Sequence, residues 1–241
     1  VFAFITFSGS LNSNFRDVSR IFMHPLPLVV MLLSLHVLVP GIASLVGRLL
    51  FPQDPYIVAG MVLQLVIPSA IVSMMWVTIY RGNFPMSLAL VLVDTIAAPV
   101  VIPLSLRLFL GSVVELDPTE MMIDLAFMVA LPALAALTIN QLTRGRVKTS
   151  VSPALAPFSK FALMFVVAVN STKVAPFLRN LSWKMVAVTV VMFLLAASAY
   201  SIGWLLATLL RQKRDVVISM TFNIGMRNIS TGAVVAGAYF P

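Results

Sequence analysis

Two charged side chains occur inside apolar stretches of this sequence. Arg227 lies in residues 222–231, FNIGMRNIST, and Asp94 lies in residues 86–104, MSLALVLVDTIAAPVVIPL. A lone charge at the centre of a bilayer costs about 3 kcal/mol on insertion scales, so such a residue normally has a partner and a function. If the fold brings these two stretches together, we predict that Arg227 and Asp94 are partners. Arginine suits such a pair, since its planar guanidinium can grip a carboxylate by two hydrogen bonds.

Two roles remain open for this predicted pair. It could only fix the register of neighbouring helices, since breaking a buried pair is strongly destabilising whatever its purpose. Alternatively, Arg227 could replace a bound cation, or could also receive an anionic substrate. His36, within LSLHVLVP, is a third buried candidate. A lone histidine on an apolar helix is usually a hydrogen-bonded packing residue, and the alternative is a proton relay.

The composition is typical of a polytopic membrane protein. Hydrophobic residues make up 60% of the 241 residues, charged residues make up 10%, and the mean hydropathy is +1.03. A soluble domain would carry about 25% charged residues. The basic residues lie between hydrophobic runs, so the formal charge of +8 indicates membrane topology and not nucleic-acid binding. The absence of cysteine excludes a thiolate metal site, and two histidines are too few for a usual zinc site.

Hydrophobic runs long enough to cross a bilayer recur along the chain, since a spanning helix needs about 20 residues. After a partial span at 1–8, the predicted spans are 26–47, 55–80, 84–111, 119–142, 153–176, 184–210 and 215–240. Lysine and arginine prefer the cytoplasmic side, which places the breaks near 9–25, 81–83, 143–150 and 211–214 there.

Two of these spans, 55–80 and 215–240, are interrupted near their middles. Such pairs of Gly/Pro-interrupted segments point to a transporter site, because half-helix ends and unpaired backbone groups can bind a ligand at mid-membrane. The interruptions contain Pro68 and Gly225, and their polar residues are site candidates: Ser69 and Ser73 in the first, and Asn223, Asn228 and Ser230 in the second.

Three segments together resemble the bile-acid:sodium symporter family in order and spacing: HPLPLVVMLLSLHVLVP, IVAGMVLQLVIPSAIVSMMWVTIYRGN and ISMTFNIGMRNISTGAVVAGAYF. The resemblance implies an all-α, ten-helix, inverted-repeat fold with a panel domain, a core domain and two crossing broken helices. It implies a single transporter unit over residues 1–241, with core helices at about 26–111 and 184–240 and panel helices at about 1–8 and 119–176. The chain would begin late in the second helix and contain the third to ninth, so we expect membrane segments beyond both ends.

The sodium ligands that the resemblance implies are largely substituted here. The family's glutamate and glutamine on the second broken helix correspond by position to Asn223 and Arg227, and its serine-asparagine pair on the first corresponds to Ser73 and Met74. Its threonine or serine on the following helix corresponds to Asp94 and Thr95, and Leu35 lies near the position of its glutamine on the third helix. Ser73, Thr95 and Asn223 keep an oxygen that a hard cation could use and are the residual sodium candidates. The carboxylate that the family has on the second broken helix is absent here, and the positively charged Arg227 lies four residues after its position.

The resulting prediction is a secondary transporter that moves an organic anion, bile-acid-like or a small carboxylate, by alternating access. We expect it to be independent of sodium, or altered in its ion coupling, with Arg227 standing in for the ion. The alternatives are a sodium- or proton-coupled symporter with a rebuilt site, an intramembrane enzyme, or a channel. The enzyme alternative is disfavoured because only one carboxylate lies deep in a span and HExxH is absent. The expected location is a bacterial inner membrane, with no cofactor beyond a possible sodium ion.

Overall fold

The computed structural model describes residues 1–13, 25–111, 117–179 and 182–240. Within these ranges the chain is all-α, as predicted. Its helices are α1 (Phe2–Ser10), α2 (Pro25–Leu50), α3 (Pro55–Val66), α4 (Ser73–Ile79), α5 (Phe84–Leu110), α6 (Pro118–Leu142), α7 (Arg146–Ser150), α8 (Ser152–Arg179), α9 (Trp183–Leu209), α10 (Arg214–Gly225) and α11 (Ile229–Tyr239).

Five helices of the described chain are long and apolar enough to cross a membrane: α2, α5, α6, α9 and the Ser152–Thr172 part of α8. They correspond to five of the predicted spans. The two interrupted spans instead form the pairs of short helices α3 with α4 and α10 with α11. The predicted polytopic architecture is therefore confirmed.

Proline determines where two of the long helices change their winding. A π-helical turn occupies Ser34–Leu38 in α2 and another occupies Ala126–Ala130 in α6, in front of Pro40 and Pro132. Proline has no N–H to donate and its ring clashes with the carbonyl four residues earlier. In α2 that carbonyl belongs to His36, and the hydroxyl of Ser105 on α5 donates to it at 3.2 Å. The carbonyl of the π turn thus anchors α2 to α5.

The helix starts are stabilised by ordinary capping side chains. Asn83 accepts a hydrogen bond from the amide of Met86 at the start of α5, and Ser182 accepts one from Met185 at the start of α9. At the start of α6, the side chain of Asp117 accepts hydrogen bonds from the backbone amides of Thr119 and Glu120. These caps satisfy amides that have no partner within the helix.

Apolar packing falls into two main clusters. One joins α2, α3, α5, α9 and α10, all within the predicted core domain. The other, which we name the outer apolar cluster, joins α1 and α6 to α3, α5 and α11 through Phe2, Val58, Ala59, Val62, Leu63, Val66, Ile67, Ala98, Ile102, Leu106, Leu110, Met121, Leu125, Val129 and Val235. Most of its residues lie in the helix halves predicted to face away from the cytoplasm. At its rim, the hydroxyl of Tyr239 donates to Asp124. The division into panel and core stays a prediction.

Candidate functional site

The two broken helices meet at their interruptions. Ser69 and Arg227 form an isolated antiparallel bridge, in which the amide of Ala70 donates to Met226 at 3.1 Å and the amide of Asn228 donates to Pro68 at 2.9 Å. Ile67 and Met226 have extended backbones that end α3 and α10. Ile67 is extended because the residue before a proline is pushed out of the helical region. The predicted interruptions are therefore present, and they bind each other through the backbone.

Arg227 is buried at this crossing, with 7% of its surface exposed. Its Nε, Nη1 and Nη2 atoms have no hydrogen-bond partner among the described residues. The carboxylate of Asp94 attracts the guanidinium through space, but the two groups form no ion pair. The predicted direct pair of Arg227 with Asp94 is therefore wrong. Both side chains are buried, as the sequence suggested, but burial does not fix the direction in which a side chain points around a helix.

The partner of Asp94 is His36. Asp94 is fully buried, and its Oδ1 lies 2.6 Å from Nε2 of His36, while its Oδ2 accepts from the amide of Ser69 at 2.7 Å. His36 is 6% exposed, and its Nδ1 is buried without a partner in the described chain. His36 is hydrogen-bonded, as expected for a packing residue, but its partner is the other buried charge. The contact joins residues 58 positions apart, so no local pattern could predict it.

Asn223 is the centre of a second buried polar network. Its Oδ1 accepts from the hydroxyl of Ser73 at 2.9 Å, and its Nδ2 donates to the hydroxyl of Ser87 and the carbonyl of Ser219, each at 2.7 Å. The hydroxyl of Ser69 donates to the backbone carbonyl of Asn223 at 3.0 Å. This network ties α10 to α4, α5 and the first break.

Sequence reasoning missed Ser87, which the structure places against Asn223. A signal was available. Ser87 precedes Asp94 by two helical turns in α5, and residues at that spacing share a helix face. Both side chains are fully buried on the side that meets the broken helices.

The remaining candidates line a cavity of about 170 Å³ beside the crossing. Thr95, Asn228 and Ser230 lie in its wall, whereas Arg227, Asp94, His36, Asn223, Ser69 and Ser73 do not. The complete lining is Phe2, Ile5, Thr6, Ser10, Pro68, Ala70, Ile71, Val72, Thr95, Val129, Leu163, Asn228, Ser230 and Thr231. The predicted site therefore divides into a buried charged network and a neutral cavity wall. The cavity is lined by residues of α1, α6 and α8 on one side and by residues of the helix crossing on the other.

The residual sodium candidates do not assemble into a cation site. The side-chain oxygen of Asn223 already accepts from Ser73, and the hydroxyl of Thr95 donates to Val91 within its own helix at 2.6 Å. Leu35 is buried in apolar packing and Met74 packs against another apolar cluster. A hard cation needs several free oxygen ligands, which are normally anionic or carbonyl. The oxygen atoms of Ser73, Thr95 and Asn223 are already hydrogen-bonded or lie apart, and the neighbouring break carries the buried positive charge of Arg227. These residues therefore do not fit a sodium ion.

Sequence comparison supplies the family context for this geometry. Residues 1–181 match the Sodium Bile acid symporter family. "Uncharacterized protein YbaS" of Bacillus subtilis is 39% identical over 241 residues, which are 100% of this chain and 79% of the relative. "Uncharacterized sodium-dependent transporter YocS" of the same species is 25% identical over 98% of this chain and 72% of the relative. "Probable sodium/metabolite cotransporter BASS1, chloroplastic" of Oryza sativa subsp. japonica is 26% identical over 77% of this chain and 45% of the relative.

Proposed function

Because the chain belongs to the sodium bile acid symporter family, we propose that it carries a small organic anion across the membrane by alternating access, without sodium. The family is one of secondary transporters, so the enzyme alternative falls away, and the protein is an integral, multi-pass membrane protein. Its bacterial relatives support a plasma-membrane location. The observation that carries the proposal is the buried guanidinium of Arg227 at the crossing of two broken helices.

Arg227 is suited to replace a bound cation on electrostatic grounds. Helices α3 and α10 both end at the crossing, and the C-terminal end of each carries roughly half a negative charge. Two such ends amount to about one negative charge, which a single guanidinium balances. Arginine stays protonated under all physiological conditions, so this charge is permanent. In the proposed mechanism it holds the crossing together as bound sodium does in relatives that use it.

The cavity supports a small carboxylate as the substrate rather than a bile-acid-sized one. An apolar cavity of about 150 Å³ holds a molecule of the size of benzene, and this cavity measures about 170 Å³. Its wall is apolar except for hydroxyl and amide groups, and the start of α11, at Asn228, Ser230 and Thr231, forms part of it. The amides of Ile229, Thr231 and Gly232 already donate within the chain, so α11 favours an anionic group through the positive end of its dipole. An apolar body with one carboxylate matches these features.

The names of two relatives favour an alternative function, that of a sodium-coupled symporter. A thermal unfolding experiment distinguishes this alternative from transport without sodium. The complete protein is purified in detergent and its melting temperature is measured in sodium and in potassium or choline at matched ionic strength. A cation that binds only the folded state at 100 times its Kd adds about 2.7 kcal/mol of stability. We expect equal melting temperatures. A rise specific to sodium would contradict the proposal.

Substitution of Arg227 tests its role as a counter-ion. Arg227→Ala should lower the melting temperature in every salt, because the two helix ends lose the charge that balances them. Lys160→Ala, at an exposed position of α8, is the control and should change little. If Arg227 were only an unpaired buried charge, its removal would raise the melting temperature. That result would overturn the counter-ion role.

A gain-of-function variant provides the converse test. The triple variant Met74→Asn, Asn223→Glu and Arg227→Gln restores the sodium ligands that the family resemblance implies at these positions. We expect sodium to raise the melting temperature of this variant and not that of Arg227→Gln alone. Uptake of labelled monocarboxylates into proteoliposomes, saturable and inhibited by unlabelled solute, completes the test of transport.

A further inference from the structure

A fixed guanidinium can balance charge, but it cannot couple transport to an ion gradient because it never leaves the protein. We infer that the His36–Asp94 pair is a proton-binding site, and that a proton bound there is the coupling ion of transport. The inference rests on the proposed function, since it supplies the mobile charge that Arg227 cannot supply. It is carried by the geometry of the pair and by its connection to the cavity wall.

The pair has an open position for a second proton. Asp94 accepts the Nε2 hydrogen of His36 across 2.6 Å, which leaves Nδ1 of the neutral ring as an unprotonated base. Nδ1 is buried and has no hydrogen-bond partner in the described ranges. An incoming proton adds to the Nδ1 lone pair and gives an imidazolium that faces the carboxylate. No bond between heavy atoms changes, and deprotonation of Nδ1 returns the neutral ring.

The charges at the crossing are consistent with a single mobile proton. Arg227 contributes one positive charge, and Asp94 and the two helix ends together contribute about two negative charges. The crossing therefore carries about one net negative charge with a neutral His36 and becomes about neutral on protonation. That is the same change in charge as the binding of one sodium ion. Among the described residues, the other titratable groups on helices packed against the pair lie at helix ends or on other faces: Arg48, Tyr56, Tyr80, Arg107, Glu120, Asp124, Lys184, Tyr200, Arg214 and Asp215. Arg227 is therefore the charged group of the described chain that faces the pair.

The proton site is one residue away from the cavity wall on two sides. Asp94 precedes Thr95, which lines the cavity, and it binds the amide of Ser69, which precedes the cavity residue Ala70. Protonation of His36 changes how strongly the carboxylate is held by the ring and by the Ser69 amide. The first helix break and the cavity wall thus share one hydrogen-bonded carboxylate with the histidine. This connection lets proton binding alter the shape of the cavity.

A measurement of proton binding needs no knowledge of the solute. The complete protein is reconstituted in proteoliposomes on a solid-supported membrane, and currents are recorded after pH jumps between about pH 8 and about pH 5. The wild type should give a transient charge displacement, and His36→Gln and Asp94→Asn should each lose most of it. Asp215→Asn, whose side chain binds Asn83 away from the crossing, is the matched control and should keep it. An undiminished displacement in both site variants would overturn the inference.

A spectroscopic measurement keeps the test valid if Asp94→Asn fails to fold. The protein has two histidines, so the variant His24→Gln leaves His36 as the only imidazole. Nitrogen NMR of the labelled ring should show Nδ1 changing from a bare to a protonated nitrogen as the pH falls, while Nε2 stays protonated. A ring whose two nitrogens keep one state between about pH 8 and about pH 5 would contradict the inference.

Transport measurements separate this inference from the proposed function. For one proton carried with one monocarboxylate, the accumulation ratio should rise about tenfold for each unit of pH difference across the membrane. Saturable uptake that ignores the pH gradient would overturn the proton coupling and leave the proposed function standing. Proton binding at His36 without uptake of any carboxylate would support the proton site and overturn the proposed function.

Discussion

The two helix breaks have similar backbone paths but are stabilised in different ways. The first break, around Ser69, contains no charged residue, and a carboxylate from α5 binds its amide. The second break carries the buried guanidinium of Arg227 within its own sequence. The first break is therefore stabilised by a side chain of another helix, whereas the second break contains a permanently charged residue of its own. The difference suggests a division of roles, in which the second break supplies fixed charge and the first responds to protonation.

The strongest challenge to this comparison is removal of Asp94. Asp94→Ala leaves the amide of Ser69 and the Nε2 hydrogen of His36 buried without an acceptor, so we expect a loss of about 3–5 kcal/mol. The readout is the free energy of unfolding of the purified protein. Asp54→Ala is the control, because Asp54 forms an exposed ion pair with Lys184 that is worth at most about 1 kcal/mol. Similar losses in the two variants would mean that the first break does not depend on Asp94.

A methyl group at Gly225 tests the second break, which follows directly after α10. A Cβ built there would lie 2.3 Å from the ring of Tyr200 on α9. The ring must move or the helix end must shift, and we expect Gly225→Ala to cost about 1–3 kcal/mol in thermal unfolding. Gly60→Ala is the matched control within α3, since a Cβ there meets no atom within 4 Å. Equal stability of the two variants would show that the path of the second break tolerates displacement.

The smallest expected effect concerns the cap that follows the second break. Asn228 caps α11 by accepting from the amide of Thr231 at 3.4 Å, and its loss in Asn228→Ala should cost about 1 kcal/mol. Ser182→Ala removes a comparable cap from α9 at a position outside the cavity. We expect the two variants to lose similar stability, but only Asn228→Ala to raise the KM for the solute. A raised KM in both would assign the effect to general destabilisation.

Sequence patterns predicted the helices and their breaks well, because each depends on local chemistry. Proline and glycine can interrupt a helix by local chemistry, and the predicted interruption at Pro68 lies where α3 ends, whereas Pro99 and Pro103 lie inside the continuous helix α5. The partners within the site depended on long-range geometry and were harder to predict. Two buried charges suggested a pair, but His36, which lies in the π turn in front of Pro40, binds the carboxylate of Asp94 instead. A proline alone does not predict that turn, because the prolines inside α5 cause no change of winding.

The outer apolar cluster has a consequence for the temperature dependence of the transport cycle. Its buried side chains are apolar and come from α1 and α6 on one side and from α3, α5 and α11 on the other. In the proposed alternating-access cycle these two sides separate, which would expose the apolar surfaces to water at a cost that grows with their area. Hydrophobic association weakens on cooling. Cold should therefore shift the resting population towards a state opened at this face, whereas warming should favour the closed seal described here.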